Sequence, residues 1–140
     1  MKNIFIDTNV IIDFLGNRES FSNAATDLFD LYADNKKKIF VSATSYTNVY
    51  YLLYKQIKSH KTVISLLSTL FEITELIDTN NNIISQSLHS EFLDFEDAIQ
   101  FYAALSNKKI EIIVSRDKKG FKKSTLPVMD VEQALRVCLQ

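Results

Sequence analysis

Apolar residues fall in two kinds of block along the chain. Three runs, Ile4-Phe5-Ile6, Ile39-Phe40-Val41 and Ile112-Ile113-Val114, are unbroken and short. Such runs suit strands with both faces covered. Longer segments repeat apolar residues at helical spacing, as Phe21, Ala24, Ala25, Leu28, Phe29 and Tyr32 do. The pattern predicts strands over Lys2–Asp7, Lys38–Ser42 and Phe71–Ile77, and strands at Glu111–Val114 and Val128-Met129. It predicts helices over Asn9–Leu15, Phe21–Ala33, Ala43–Lys58, Lys61–Leu70, Asn81–Phe92, Phe95–Leu105 and Val131–Leu139. Ser42 or Thr44 is the expected N-cap of the Ala43 helix, and Asp94 that of the Phe95 helix. Turn signals are polar: Gly16-Asn17-Arg18, Asp34–Lys38, Asn80-Asn81-Asn82, Ser106–Lys109 and Lys118–Gly120.

Strands that alternate with helices from end to end call for a central parallel sheet with helices on both faces, a three-layer α/β/α sandwich. A length of 140 residues suits one domain, residues 1–140. No apolar run approaches the ~20 residues needed to span a bilayer, and the amino terminus has no signal-peptide pattern. A cytoplasmic protein is the expectation. The lone cysteine, Cys138, excludes an internal disulfide, and His60 and His89 lack partners at zinc-site spacing.

The formal net charge of −1 gives no overall pull toward nucleic acid, but charge is segregated. Lys36, Lys37, Lys38, Lys55, Lys58 and Lys61 follow one another without an acid between them. Glu72 to Asp97 carries acids but no Lys or Arg. A basic cluster, Arg116, Lys118, Lys119, Lys122 and Lys123, then surrounds Asp117. Solvated helix faces would produce such blocks, and so would a site where acids hold metal and bases hold a polyanion.

In doubly covered parallel sheets, ligands bind beyond the carboxyl ends of the strands. Asp7 and Asp117 each follow a predicted strand, where each could also serve as a helix or turn cap. Asp97 shares a helical face with Asp94, Ala98, Phe101 and Leu105, so it stands on a stripe that is otherwise apolar toward its carboxyl end. A buried carboxylate there needs a partner or a cation. Glu96 is expected to point away from that face. Gathered carboxylates repel one another, and Mg²⁺ or Mn²⁺, which take oxygen ligands, would reverse that penalty. Phosphodiester cleavage is the natural chemistry of such a set.

These residues carry a resemblance to the PIN-domain family and its VapC-like toxin ribonucleases. It rests on Ile4-Phe5-Ile6-Asp7-Thr8-Asn9-Val10-Ile11-Ile12-Asp13, on Asp94-Phe95-Glu96-Asp97-Ala98-Ile99-Gln100, and on Val114-Ser115-Arg116-Asp117 with Phe121. The resemblance implies an α/β/α sandwich, metal-dependent endoribonuclease activity, an antitoxin partner and association into homodimers. It implies metal ligation by Asp7, Asp97 and Asp117, with hydrogen-bonding support from Thr8, Asn9 and Ser115. One position departs. The family usually carries an acid, most often Glu, in the helix after the second strand, and Asn48 stands there. An amide oxygen can ligate but carries no charge. Asn48 therefore either assists as a neutral ligand beside three aspartates, or marks a weakened RNA- or protein-binding module.

Tyr46, Tyr50 and Tyr54 share a helix face and suit core packing, a partner surface or base stacking. Arg116, Lys118, Lys119 and Lys122 are candidate phosphate contacts. No Ser–His pairing and no phosphate-binding glycine loop is present. A phosphatase using Asp7 as nucleophile would want a second Asp where Asn9 stands.

Overall fold

The computed structural model describes residues 1–16, 21–33 and 36–139. The turns expected at Asn17-Arg18 and Asp34-Asn35 lie outside the described residues. The elements run β1 (Ile4–Ile6), α1 (Thr8–Leu15), α2 (Ser22–Ala33), β2 (Ile39–Ser42), α3 (Ala43–Ile57) and α4 (His60–Ile73). They continue with β3 (Glu75–Ile77), α5 (Asn81–Leu88), α6 (Phe95–Leu105), β4 (Ile112–Val114), β5 (Val128–Met129) and α7 (Val131–Cys138), with a 3₁₀ turn at Lys119–Phe121. The strands form one sheet in the order β3-β2-β1-β4-β5, and every neighbouring pair is parallel.

The unbroken apolar runs are explained by two cores, one on each face. Ile4 and Ile6, Ile39 and Val41, and Ile112 and Val114 pack with α1, α2, α3, α4 and α7. Phe5, Phe40 and Ile113, which point the other way, pack with Ile83 of α5, with Ile99, Phe101, Ala103 and Ala104 of α6, and with Phe121. Alternate side chains of a strand face opposite sides, so a run buried on both sides is apolar except where a polar group such as Ser42 finds a hydrogen-bond partner.

Several boundaries differ from the sequence expectation by a residue or more, and three of the differences have a visible cause. The strand expected over Phe71–Ile77 is confined to Glu75–Ile77. Val63, Leu67 and Leu70 form one buried stripe, and that stripe carries α4 on through Ile73. There Thr74 Oγ1 donates to the Leu70 carbonyl at 2.6 Å and the backbone turns extended. The helix expected to reach Phe92 stops at Leu88. Ser87 Oγ bonds the Ile83 carbonyl and Ser90 Oγ the Ser87 carbonyl, local bonds that compete with helix continuation. Phe92 is freed to stack on Phe101, ring centroids 5.2 Å apart. Finally, Asp7 caps α1 by accepting from Thr8 N, so the helix opens at Thr8 rather than Asn9. Of the two N-caps weighed for α3, Ser42 holds the position, accepting from Ser45 N at 3.2 Å.

The tyrosine stripe on α3 is spent on the α3–α4 pair. Tyr46 meets Phe71 edge-on, and Tyr50 stacks on Tyr54 and shares a 2.8 Å hydrogen bond with His60 Nδ1. Among the described residues, no helix is long and apolar enough to cross a membrane.

Candidate active site

The chain builds the sheet outward from β1 through β2 to β3, then crosses back to lay β4 on the other side of β1. Strand order therefore reverses between β1 and β4, and the loops leaving these two strands diverge to opposite faces. Such a reversal opens a crevice at the carboxyl ends of the two strands. Asp7 leaves β1 and Ser115-Arg116-Asp117 leaves β4. The amino terminus of α6 brings Asp94, Glu96 and Asp97 to the same crevice. These acids, with Thr8, Asn9, Ile12 and Leu52, line an open cleft of about 240 Å³. No lysine or arginine is among its lining residues.

Asp7 is fixed from every side. Its Oδ2 accepts from Ser115 Oγ at 2.8 Å, and its Oδ1 accepts from Thr8 N at 2.8 Å and Gln100 Nε2 at 3.2 Å. Ser115 Oγ accepts in turn from Asp117 N at 3.0 Å, and so ties the β4 loop to the β1 carboxylate. Asn9 adds a second tie, its Oδ1 accepting from Arg116 N at 3.3 Å. Gln100, fully buried, lies behind Asp7. Its amide also donates to Ser45 Oγ at 2.7 Å, while Ser42 Oγ donates to its carbonyl oxygen. Ser45 and Thr8 complete this buried polar network, their hydroxyls 3.2 Å apart.

Asp97 and Asp117 approach each other over Gly120. A Cβ added at Gly120 would stand 2.2 Å from Asp97 Oδ2 and 2.8 Å from Asp117 Oδ2. A glycine is required here by that close approach, since its φ is not in the left-handed region. Gly120 N donates to Asp117 Oδ1 at 3.1 Å. Asp94 caps α6 by accepting from Asp97 N at 3.0 Å, which holds the Asp97 backbone at the cleft.

The electrostatics record this crowding. Burial pushes the Asp97 carboxyl up to about 7, helped by Asp7, Asp94, Asp117 and Glu96. Burial also raises Asp7, although bonds from Ser115, Gln100 and Thr8 N pull it back. Glu96 is raised by burial and by Asp7, against hydrogen bonding from Thr8 and Asn48. The positive end of the α6 dipole relieves only part of this repulsion, by roughly 0.3–1 kcal/mol per acid.

Two expectations need correction. Glu96 does not point away; it lines the cleft. The acids meet α6 at its end rather than along its side. First-turn side chains tilt back toward the amino terminus, so Asp94, Glu96 and Asp97 all reach the same space. Arg116, a candidate phosphate contact, is committed elsewhere. Its Nε and Nη2 donate to the two carboxylate oxygens of buried Asp13 at 2.7 and 3.2 Å, and its guanidinium lies 4.3 Å over the Phe21 ring. Of the other candidates, Lys118 Nζ donates to Gln133 Oε1 at 3.0 Å. Lys119 and Lys122 line a groove of about 380 Å³, together with Lys123, Phe92 and Leu93. That groove runs into the acid cleft, sharing Asp94, Asp97 and Asp117 with it. Sequence reasoning missed Gln100, Ser42 and Ser45 as functional support. Gln100 could have been found one helical turn beyond Asp97, on the same face.

Among the described residues, no three acidic or histidine side chains close on a single point; the approach of Asp97 and Asp117 is pairwise. The donor chemistry nonetheless fits a hard divalent cation. The cleft offers carboxylate and amide oxygens, has no Lys or Arg among its lining residues, and holds two carboxylates against Gly120 where a Cβ would intrude.

A parallel five-stranded sheet covered by helices, with acids gathered at its topological switch point, defines the class of α/β/α sandwich to which the chain belongs. The chain belongs to the PIN domain family, which it matches over residues 3–119. It is 26% identical over 137 residues to ribonuclease VapC1 of Aquifex aeolicus (strain VF5), covering 94% of this chain and 92% of the relative. The fold is similar to that of Mycobacterium tuberculosis VapC20, a toxin that cleaves the sarcin-ricin loop. The TM-score is 0.62 at 19% identity, over 79% of this chain and 87% of the toxin. It is also similar to VapBC2 of Rickettsia felis, solved bound to a DNA fragment from its promoter. There the TM-score is 0.65 at 16% identity, over 91% of this chain and 96% of the other.

Proposed function

We propose that this protein is a Mg²⁺- or Mn²⁺-dependent endoribonuclease and the toxin of a toxin-antitoxin pair. The observation that supports the reading is the gathering of Asp97 and Asp117 against Gly120, in one cleft with buried Asp7, at a switch point without a counter-cation among its lining residues. Asp7, Asp97 and Asp117 would hold the ion, with Asn48 close by on α3. A bound divalent ion would supply a lowered pKa for attacking water and neutralise charge on the scissile phosphate. The chain's own residues do the rest. Ser115, Thr8 and Gln100 hold Asp7 in one orientation and favour its ionised form. Asp94 holds the Asp97 backbone, and Gly120 leaves room for both carboxylates while its N–H donates to Asp117. Lys119 and Lys122 flank the groove that leads to the acids and would bind the phosphates on either side of the cut, in a salt-dependent way.

The partner readings follow from relatives. The VapBC2 likeness suggests an antitoxin, and self-association is expected on the same footing. Incubation of purified protein with single-stranded and structured RNAs and Mn²⁺ tests the activity. Cleavage that EDTA abolishes supports the reading, and intact RNA across the panel defeats it. Induction in a bacterial host tests the toxin reading: growth arrest by wild type but not by Asp97→Asn is the expected result.

The alternative is a binding module whose chemistry went with the missing Glu, suggested by Asn48 on α3. It predicts RNA or protein binding that persists in Asp97→Asn without cleavage by the wild type.

A further inference from the structure

The groove beside the acid cleft has two unlike walls. The loop between α5 and α6 supplies one, with Phe92 and Leu93, and the loop after β4 supplies the other, with Lys119, Lys122 and Lys123. Asp97 and Asp117 lie where the groove meets the cleft. Leu93 is 93% exposed, more than any other large hydrophobic side chain among the described residues. Single exposed leucines are common and need no explanation. This one is held out by a fixed backbone. On one side of it Phe92 stacks on Phe101 and meets Phe121 edge-on, while its N–H donates to Ser90 Oγ at 3.3 Å. On the other side Asp94 is the N-cap of α6. The two walls face each other, because Lys123 Nζ reaches Glu91 Oε2 across the groove at 3.6 Å. That pair is exposed and weak, so a phosphate can displace it. Three lysines on one wall select a polyanion. An ordered apolar wall opposite them selects a polyanion that offers an uncovered apolar face, and a nucleotide with its base unstacked is such a group. A duplex keeps its base faces covered and gives this wall nothing to hold.

We infer that Phe92 and Leu93 seat an unpaired base beside the phosphate to be cut, so that this chain acts on RNA where its bases are unstacked. This deepens the ribonuclease reading above and rests on it. The base lies against Leu93 and the open part of half-buried Phe92, while Lys119 and Lys122 hold the flanking phosphates. Leu93 is then a specificity-determining residue, contributing affinity for an unstacked base and none for a paired one. The tyrosines of α3 are not needed for this, since Tyr46 and Tyr50 are engaged within the α3–α4 pair.

The test is fluorescence anisotropy in EDTA with three fluorescein-labelled probes. They are a short single-stranded RNA of mixed sequence, the same strand annealed to its complement, and an all-abasic strand of equal length. Leu93→Ser is expected to weaken single-strand binding by about 10-fold, the scale of one lost base contact, with the duplex and the abasic strand unaffected. With Mn²⁺ present, the same change is expected in KM for cleavage of the single strand, at unchanged kcat. Leu93→Met, which keeps the apolar surface, is expected to bind as the wild type does. Lys122→Ala is expected to weaken all three probes and to lower the salt slope by about one, a slope that Leu93→Ser leaves alone. The thermal melt of Leu93→Ser should match that of the wild type, since the side chain is exposed. Wild-type single-strand affinity and KM in Leu93→Ser overturn the inference, and so does an equal loss on the abasic strand. A shift of Leu93→Ser from dimer to monomer in light scattering, at unchanged RNA affinity, also overturns it and assigns the leucine to a contact between copies. In each of these cases Mn²⁺-dependent cleavage by the wild type leaves the ribonuclease reading standing. A wild type that neither binds nor cuts RNA defeats both.

Discussion

Two buried aspartates, Asp7 and Asp13, lie on one short stretch of chain and have opposite surroundings. Asp13 meets Arg116 in a two-point ion pair that satisfies both carboxylate oxygens. Among the described residues, Asp7 accepts from neutral donors, and the charge acting on it is that of another acid, Asp117. A buried pair of the first kind holds parts of a fold together, here α1 and the loop after β4. An acid of the second kind costs stability unless something charged arrives. The difference separates structure from function among residues that look alike in sequence. Charge left uncompensated at a strand end points to a ligand, and charge compensated by a neighbour does not.

The largest effect should come from the uncompensated side. Asp97→Asn or Asp7→Asn should lower Mn²⁺-dependent RNA cleavage by about 10³-fold, the scale of losing a charge-stabilising group at a reacting centre, with no loss of folded protein. Wild-type turnover in either variant would break the contrast. The compensated side should show the reverse. Arg116→Met should cost about 3 kcal/mol in urea unfolding, because it strands the buried Asp13 carboxylate, while cleavage per folded molecule stays near wild type. A large activity loss at unchanged stability would return Arg116 to phosphate binding. A smaller effect is expected from Gly120→Ala. The added methyl would force Asp97 and Asp117 apart, and Mn²⁺ affinity should fall about 10-fold, or ~1.4 kcal/mol, by calorimetry.

The smallest effect is a slope with pH. In the metal-free protein Asp97 keeps its proton up to about 7, whereas the unfolded chain releases it near the ordinary value of 3.8. The native state binds more protons across that window, so stability should fall as pH rises through it. Asp7 and Glu96, also raised, act in the same direction. Thermal melts of metal-free protein at stepped pH should show the decline, and Asp97→Asn should flatten it.

Most of the fold was legible because both faces of the sheet are covered. Runs such as Ile4-Phe5-Ile6 then have no exposed position, and their ends are sharp. The end of α4 was not, since Phe71 and Ile73 suit a strand as well as a helix, and only the buried stripe ending at Leu70 decides. The acids after β1 and β4 could be placed from strand ends alone. Glu96 could not: a helical wheel describes neighbours beside a helix, and the cleft lies at the end of one. The pairing of Arg116 with Asp13 was not legible, because adjacency to Asp117 says nothing of where a long side chain is drawn once Asp13 is buried nearby. Gln100 escaped notice because a glutamine with no exposed surface looks the same in sequence as one in water.

The sheet ends in β3, three residues long, and β5, two residues long. Ladders this brief give an incoming chain too few backbone groups to grip. Glu75 is exposed on the outer strand, where a charge discourages stacking further. Copies of this protein should therefore resist fibre-like growth through edge-to-edge addition even when crowded, and any oligomer should be held by helix surfaces rather than by an extended sheet.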